Sequence, residues 1–318
     1  MSEWIGRAAR STAVRLAITL AVLGYLAARI DMAAAARAIA EVRLTYLALV
    51  MVLVAVDRSV MILRWVLLLR GSGVPIAAGD AARIFLTSSF VGSFLPAGVG
   101  ADAARAYGLA RHSATGSEAL ASVAVDRLLG ILSLVVMGAV GVVSWSPDHH
   151  GDWRIAGAAA ILAGASVAVF WADQLVRWSV PGHRHDGPIT RRILRVSDAV
   201  SRYRNRRGTL VHVMVWSLVV QVLRITQAYL IGLGLGLSVP FSYYLLFMPL
   251  GLLLLLLPIS IGGFGVPQGI IVWLLRPMGV PDEASFALSS LIVLSGLAGN
   301  LPGLWLWLAG RRSDPAAH

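Results

Sequence analysis

Long apolar runs restrict this chain more than any other feature. A membrane-spanning helix needs about 20 mostly apolar residues, and lipid cannot bond free backbone groups, so such runs fold as helices. The chain has 318 residues, of which 58% are hydrophobic and 14% are charged, far more apolar than an ordinary soluble domain. We therefore predict an all-α, polytopic integral membrane protein. Six runs reach or approach spanning length, at 13–29, 44–69, 119–143, 154–172, 208–236 and 284–310.

Two further apolar stretches, 81–97 and 241–257, run into Leu-Pro-Gly breaks. The first leads into FLPAGVGADAARAY (94–107) and the second into LPISIGGFGVPQ (257–268). Proline and glycine at these positions interrupt a helix. Each stretch could cross the membrane, or enter it and turn back.

The distribution of arginine favours the second alternative. Loop 173–207 is rich in arginine, and the N-terminus (Arg7, Arg10, Arg15) and the tail (Arg311, Arg312) are also basic. Basic segments beside spans face the cytoplasm. If all eight stretches cross, the loop and the N-terminus lie on opposite sides. We therefore predict about six spans plus two re-entrant helical hairpins that enter from opposite faces, in a bacterial cytoplasmic membrane with both termini cytoplasmic.

Opposed hairpins predict an inverted internal repeat within a single domain, 1–318. The candidate halves are 13–172 and 208–310, joined by the basic loop 173–207. Equal spacings separate Pro96 from Pro258 and Gly100 from Gly262. Many transporters use such repeats to build a midplane site from broken helices.

Ionisable residues lie inside the runs, where each costs about 2.5–3.5 kcal/mol on insertion scales. They are expected to line an interior cavity, or to pair with one another and hold the bundle together. Arg64, near a run end, could instead extend to the lipid headgroups. The residues concerned are Asp57, Arg58, Arg64, Asp126, Arg127 and Arg224.

The first break adds three candidates. Gly100 would let a ligand approach the backbone, and the exposed N–H groups of a restarting helix favour anions. Asp102 and Arg105 would share a helix face. Asp102 could equally be an N-cap that only stabilises the helix start.

Evidence for catalysis or a cofactor is absent from the sequence. The chain contains no cysteine, and His149, His150, His183 and His185 lie in polar loops that we expect to be solvated. We expect no enzyme activity, no metal or other cofactor and no nucleic-acid partner.

Four segments together resemble the lysylphosphatidylglycerol synthase transmembrane family, a flippase-like region that also occurs as a stand-alone protein. They are RW at Arg64 and Trp65, LPAGVGADAARAY at 95–107, DR at Asp126 and Arg127, and PISIGGFGVPQG at 258–269. Two positions depart from the family pattern. Ala101 replaces a glycine, and Gln268 stands where the family has a glutamate.

The resemblance implies a protein that moves a phospholipid or another polar-headed lipid across the bilayer, with a lipid headgroup as its partner. Arg58, Arg64, Arg105 and Arg127 would neutralise a phosphate, since arginine binds phosphate bidentately. Asp57, Asp102 and Asp126 would hold these arginines or meet a cationic headgroup. The implied lipid site also includes Gly100, Arg224, Gly262, Gly263 and Gln268.

Bifunctional relatives carry a soluble aminoacyl-transferase domain, which we do not expect in this chain. Two other functions stay open from the sequence. One is a non-catalytic membrane scaffold for a glycosyltransferase or another envelope-lipid enzyme. The other is a transporter of small solutes or ions. A homo-oligomer is compatible with all three.

Overall fold

The computed structural model of the protein describes residues 20–95 except 23, 99–112, 115–145, 206–255 and 265–312, with residues 157, 164 and 203 in isolation. Within these ranges the chain is mostly helical, with short turns between helices and no strand. This confirms the predicted all-α class. A short apolar helix, Leu20–Arg29, comes first. It is followed by α1 (Met32–Ala40), α2 (Leu44–Gly71), α3 (Ala78–Gly92), α4 (Val99–His112), α5 (Gly116–Ser144), α6 (Arg207–Gly234), α7 (Phe241–Leu255), α8 (Val266–Leu275), α9 (Asp282–Ala298) and α10 (Leu301–Arg312).

Four of the predicted runs are confirmed as long apolar helices. In the described part of the chain, α2, α5, most of α6, and α9 with most of α10 are long and apolar enough to cross a membrane. The run 13–29 is represented by its last part only. The run 154–172 and most of the basic loop 173–207 lie outside the described residues.

Local sequence fixes where several helices begin. Asp31 caps α1, since its Oδ1 accepts the N–H groups of Ala33 and Ala34 at 2.9 and 3.0 Å. A capping box starts α5, in which Thr115 Oγ1 accepts the Glu118 N–H at 3.3 Å and Glu118 Oε2 accepts the Thr115 N–H at 3.2 Å. Both caps satisfy backbone donors that a helix start leaves free.

The long helices α2 and α6 are antiparallel neighbours. Gly71, at the end of α2, lies against Thr209 at the start of α6, and the Arg43 N–H donates to the Gly234 carbonyl at 3.1 Å at the other end. We call the end where α2 stops and α6 starts the basic end, because Arg70 and Arg206 lie there. The other end is the opposite end.

The first break region is a helical hairpin that begins and ends at the basic end. Its arms, α3 and α4, have 15 and 14 residues, or about 22 Å at 1.5 Å per residue, which is less than the hydrocarbon thickness. They pack closely, with Gly92 against Ala101 and Gly108 against Ile84. Since α2 ends and α5 starts at the basic end, this stretch returns to the side it left.

The second break region is a hairpin that begins and ends at the opposite end. Helix α7 runs back along α5, with Leu245 beside Gly141 and Pro249 beside Gly138. The Tyr243 hydroxyl, at the start of α7, donates to the carbonyl of Leu274 at the end of α8. The tip, residues 256–264, lies outside the described residues. The arms of the two stretches pair at opposite ends of the bundle, as opposed hairpins require, whereas the number of spans, the re-entrant course and the repeat stay predictions.

The last span is broken where it meets the first hairpin. Between α9 and α10 the chain turns at residues 299–300, and the Asn300 side-chain amide donates to Ser93 Oγ at 2.8 Å. Gly303 passes so close to the carbonyl of Leu86 that no Cβ would fit. The last part of α3 is therefore held against the break in the last span.

The contact between α5 and the second hairpin gives a stability prediction. A Cβ at Gly141 would collide with the backbone of Leu245 and Leu246, which cannot rotate away. We expect Gly141→Ala to destabilise the protein by about 1–3 kcal/mol through overpacking, seen as a lower thermal midpoint in detergent.

Gly130→Ala is the matched control, because a Cβ at Gly130, on the same helix, meets nothing within 4 Å. It should leave the midpoint unchanged or raise it, since alanine favours helix by about 1 kcal/mol over glycine. Equal midpoints for the two variants would contradict the proposed packing of α5 on α7.

Candidate functional site

Five of the predicted site residues form one chain of ion pairs, which we call the hairpin network. Arg64 lies on α2, Asp102 and Arg105 on α4, and Asp126 and Arg127 on α5. The two carboxylate oxygens of Asp126 form ion pairs, Oδ1 with Arg64 Nη2 at 2.8 Å and Oδ2 with Arg105 Nη1 at 3.0 Å. Asp102 takes Arg105 at 3.0 Å and Arg127 at 2.8 Å. The network thus joins the first hairpin to two long helices.

Aromatic rings and a serine hold the inner arginines in place. The guanidinium of Arg105 lies 5.3 Å from the ring centroid of Trp65 and 5.4 Å from that of Phe85, a cation–π arrangement that strengthens when desolvated. Arg64 also donates to Ser217 Oγ on α6 at 3.0 Å. Arg64 and Arg105 are therefore fixed on several sides.

Exposure increases along the hairpin network. The side chains of Asp126, Arg64 and Arg105 are 3%, 5% and 7% exposed, whereas Asp102 and Arg127 are 22% and 33% exposed. Three arginines face two aspartates, which leaves one positive charge in excess. The accessible end of the network is the Asp102–Arg127 pair.

The remaining charged residues form a second group, the central network. Asp57 is 4% exposed and takes Arg58 at 3.3 Å and Arg224 at 3.2 Å. Arg58 also donates to the carbonyl of Gly296 on α9 at 3.2 Å. Both arginines contact Met61 Sδ, Arg58 at 3.6 Å and Arg224 at 3.0 Å. Here too one positive charge is in excess.

A neutral polar bridge lies between the two networks. Gln221 donates to Ser133 Oγ at 3.0 Å, one turn from Ser217 on one side and from Arg224 on the other. Asp57 and Arg64 are seven positions apart on α2, which is about 10 Å along the helix axis. The structure thus divides the predicted single set of charged residues into two sites at different depths.

Two alternatives from the sequence are settled by these contacts. Arg64 does not extend to headgroups, because it is buried and paired with Asp126. Asp102 is not an N-cap, because it is the fourth residue of α4 and its carboxylate binds Arg105 and Arg127. The expectation that the intramembrane charges pair is confirmed, while their contact with a ligand stays a prediction.

Of three predicted glycines, one has a packing role and two are not described. Gly100 turns its open side towards Leu95, where a side chain would collide, so it serves packing of the hairpin turn. Ala101 packs against Gly92, which explains how alanine is accommodated at this position. Gly262 and Gly263 lie outside the described residues.

Gln268 caps the second hairpin's returning helix. It is 1% exposed, and its Oε1 accepts the N–H of Gly265 at 2.7 Å, where Gly265 has φ +87°. A glutamate could accept the same bond but would bring a buried charge. The departure at this position therefore keeps the cap and removes the cost of burying a carboxylate.

The sequence prediction missed the neutral members of both sites. Ser217, Met61, Phe85 and Ser133 are common types inside apolar runs, so composition gives no signal for them. Spacing does give a signal on α6, because Ser217, Gln221 and Arg224 recur at helical intervals on one face. Within the described ranges, histidines and carboxylates form no metal-binding group, and His149, His150, His183 and His185 lie outside them.

Asp126 gives the second prediction, since among the described carboxylates it is the one paired with both Arg64 and Arg105. Asp126→Asn leaves buried Arg64 without its counter-charge and Arg105 with Asp102 alone, and breaking a buried pair costs about 3–5 kcal/mol. We expect a large fall in thermal midpoint or loss of folded protein, measured by size-exclusion chromatography and thermal unfolding in detergent.

Asp282→Asn is the control, because the Asp282–Arg276 pair is largely exposed and such pairs contribute little. The double variant Asp126→Asn with Arg64→Met should recover part of the loss, since it removes the guanidinium that Asp126→Asn leaves unpaired. A single Asp126→Asn variant as stable as the Asp282→Asn control would show that the network does not hold the bundle.

Comparison with known proteins places these features in a family. No curated protein matches the chain. A family profile described as "Lysylphosphatidylglycerol synthase TM region" matches residues 12–301, a range that contains both hairpins and every residue of the two networks. The chain therefore belongs to the lysylphosphatidylglycerol synthase transmembrane-region family.

Proposed function

We propose that this protein moves a lipid with an anionic phosphate headgroup across the membrane, as a flippase or scramblase. The observation that carries the proposal is the hairpin network, a buried ion-pair chain with one excess positive charge and an accessible end at Asp102 and Arg127. Family membership supports the coarser statement that the protein is involved in lipid handling.

The open end of the hairpin network suits a phosphate chemically. Arg127 is one-third exposed, and its Nη1 donates to Asp102 Oδ2 at 2.8 Å. The rest of its guanidinium is therefore not used by this carboxylate. Arginine binds phosphate through two parallel N–H donors. An incoming phosphate would share Arg127 and Arg105 with Asp102, while Asp126 keeps Arg105 and Arg64 in position.

The two hairpins suit a lipid path. Broken helices at membrane depth are tolerated only where protein or water surrounds their free backbone groups, and transporters use them at central sites reachable from either face. Here the hairpins enter from opposite ends of the bundle. In the proposal the headgroup passes along the polar strip between α2, α5 and α6 while the acyl chains stay in the bilayer.

The charge distribution suggests how the protein lies in the membrane. Arginines at the basic end favour a cytoplasmic position for that end, and we place the protein in a bacterial cytoplasmic membrane. The proposed activity is transport rather than catalysis and uses no cofactor. The partner is a membrane lipid.

Reconstitution tests the proposal. Purified protein is placed in vesicles of phosphatidylethanolamine and phosphatidylglycerol that contain fluorescent phosphatidylglycerol, and dithionite quenching reports the labelled lipid that reaches the outer leaflet. We expect faster translocation than in protein-free vesicles. Arg127→Gln should lower the rate at least tenfold, because it removes the accessible phosphate donor.

Arg83→Gln is the matched control, since Arg83 lies on the same hairpin but is exposed. It should translocate like the wild type, and both variants should keep the wild-type thermal midpoint within a few degrees. Translocation equal to protein-free vesicles would overturn the proposal, and co-purification of a stoichiometric lipid-modifying enzyme would then favour a scaffold.

A further inference from the structure

The central network is poorly saturated for a group of buried charges. Within the described part of the chain, Asp57 is the one carboxylate that contacts Arg58 and Arg224, and Arg58 Nε is buried there without a hydrogen-bond partner. The other shared partner is the Met61 thioether, which is a weak acceptor. Two guanidinium groups that converge on a thioether would gain from a stronger, charged acceptor in its place.

The arginines of the central network remain accessible to such an acceptor. Arg224 is 29% exposed and Arg58 is 18% exposed, whereas Asp57 between them is 4% exposed. The carboxylate is thus behind the arginines, and the excess positive charge faces outward. This order suits an anion with a single negative charge.

An apolar groove lies near the central network. Helices α7, α8 and α9 enclose it, with Phe247 and Leu252 on one wall, Pro267 and Ile271 on the second and Val293 on the third. Its lining is almost entirely apolar. Val293 and Gly296, whose carbonyl binds Arg58, are three residues apart on one face of α9. The groove and the carbonyl that binds Arg58 are therefore about one turn apart on the same helix.

The central network and the hairpin network each hold their arginines with partners of their own. Hydrogen bonds from guanidinium to phosphate are about 2.7–2.9 Å long, whereas the two networks are about 10 Å apart along α2. Arg64 is held by Asp126 and Ser217, and Arg58 by Asp57 and Gly296. The Gln221–Ser133 bridge occupies the interval between them.

We propose that the central network is a second phosphate site, separate from the hairpin network, which binds the phosphodiester of a lipid while one acyl chain lies in the groove between α7, α8 and α9. The site has one excess positive charge, which matches the single charge of a phosphodiester. This inference rests on the proposed function, because it adds a second binding position for the same class of lipid.

Native mass spectrometry of the full chain in detergent, titrated with dihexanoyl phosphatidylglycerol, tests the number of sites. The wild type should bind two lipids. Arg224→Gln and Arg127→Gln should each bind one, with affinity for the lost lipid reduced at least tenfold, and Arg224→Lys should retain two. In each variant, binding at the other site serves as the control for folding.

Three results would overturn the inference. One is a wild type that binds fewer than two lipids. Another is an Arg224→Gln variant that still binds two with unchanged affinity. The third is loss of both lipids in either glutamine variant, which would indicate one shared site.

A groove variant distinguishes a lipid from free phosphate. Val293→Trp fills the groove and should weaken the lipid lost in Arg224→Gln at least tenfold, while competition by inorganic phosphate at that site is unchanged. Unchanged lipid affinity in Val293→Trp would overturn the lipid assignment. Two bound lipids without translocation in vesicles would overturn the proposed function and leave the second site standing.

Discussion

The pairing of buried arginines with a smaller number of buried aspartates is the constraint on which the rest of this structure depends. A single charge inside a membrane is costly, and a helix that carries one must bring it to a partner. Asp126 receives arginines from α2 and α4, and Asp57 receives one from its own helix and one from α6. The relative positions of the spans and of the first hairpin follow from where these pairs can form.

The same pairing connects the stability of the bundle with the proposed binding of an anionic lipid. In both networks the carboxylates that hold the arginines are largely buried, and arginines outnumber them by one. A fully neutral network would hold the bundle equally well but would have no reason to attract an anion. The excess charge at the accessible side of each network is therefore the feature that a purely structural role leaves unexplained.

Small residues give the hairpins their close packing. The contact of Gly92 with Ala101 brings the two arms of the first hairpin together. The contact of Gly303 with the Leu86 backbone brings this hairpin against the last span. In lipid, helices associate through such close contacts and through polar bonds, since lipid tails are as apolar as the side chains. The hydrogen bond from Asn300 to Ser93 then connects the end of α3 to the break in the last span.

Much of the fold could be predicted because the membrane leaves few alternatives. Length and apolarity identified α2, α5, α6 and the last span, and the arginine distribution favoured hairpins over crossings. The charged site residues could be predicted for the same reason, since Asp57, Arg105 and Asp126 are conspicuous where charge is costly. Neutral members such as Ser217 and Met61 could not, because their roles depend on which helix faces them.

The sequence by itself determined the helical class, the positions of the two breaks and the list of costly intramembrane charges, because lipid penalises free backbone groups and unpaired charges wherever the chain places them. Only the tertiary structure decided that these charges separate into two networks about 10 Å apart along α2, that Arg64 is buried against Asp126, and that an apolar groove lies about one turn of α9 from the carbonyl that binds Arg58. Those outcomes depend on which faces of α2, α5, α6 and α9 meet, and periodicity along one helix does not specify its neighbours.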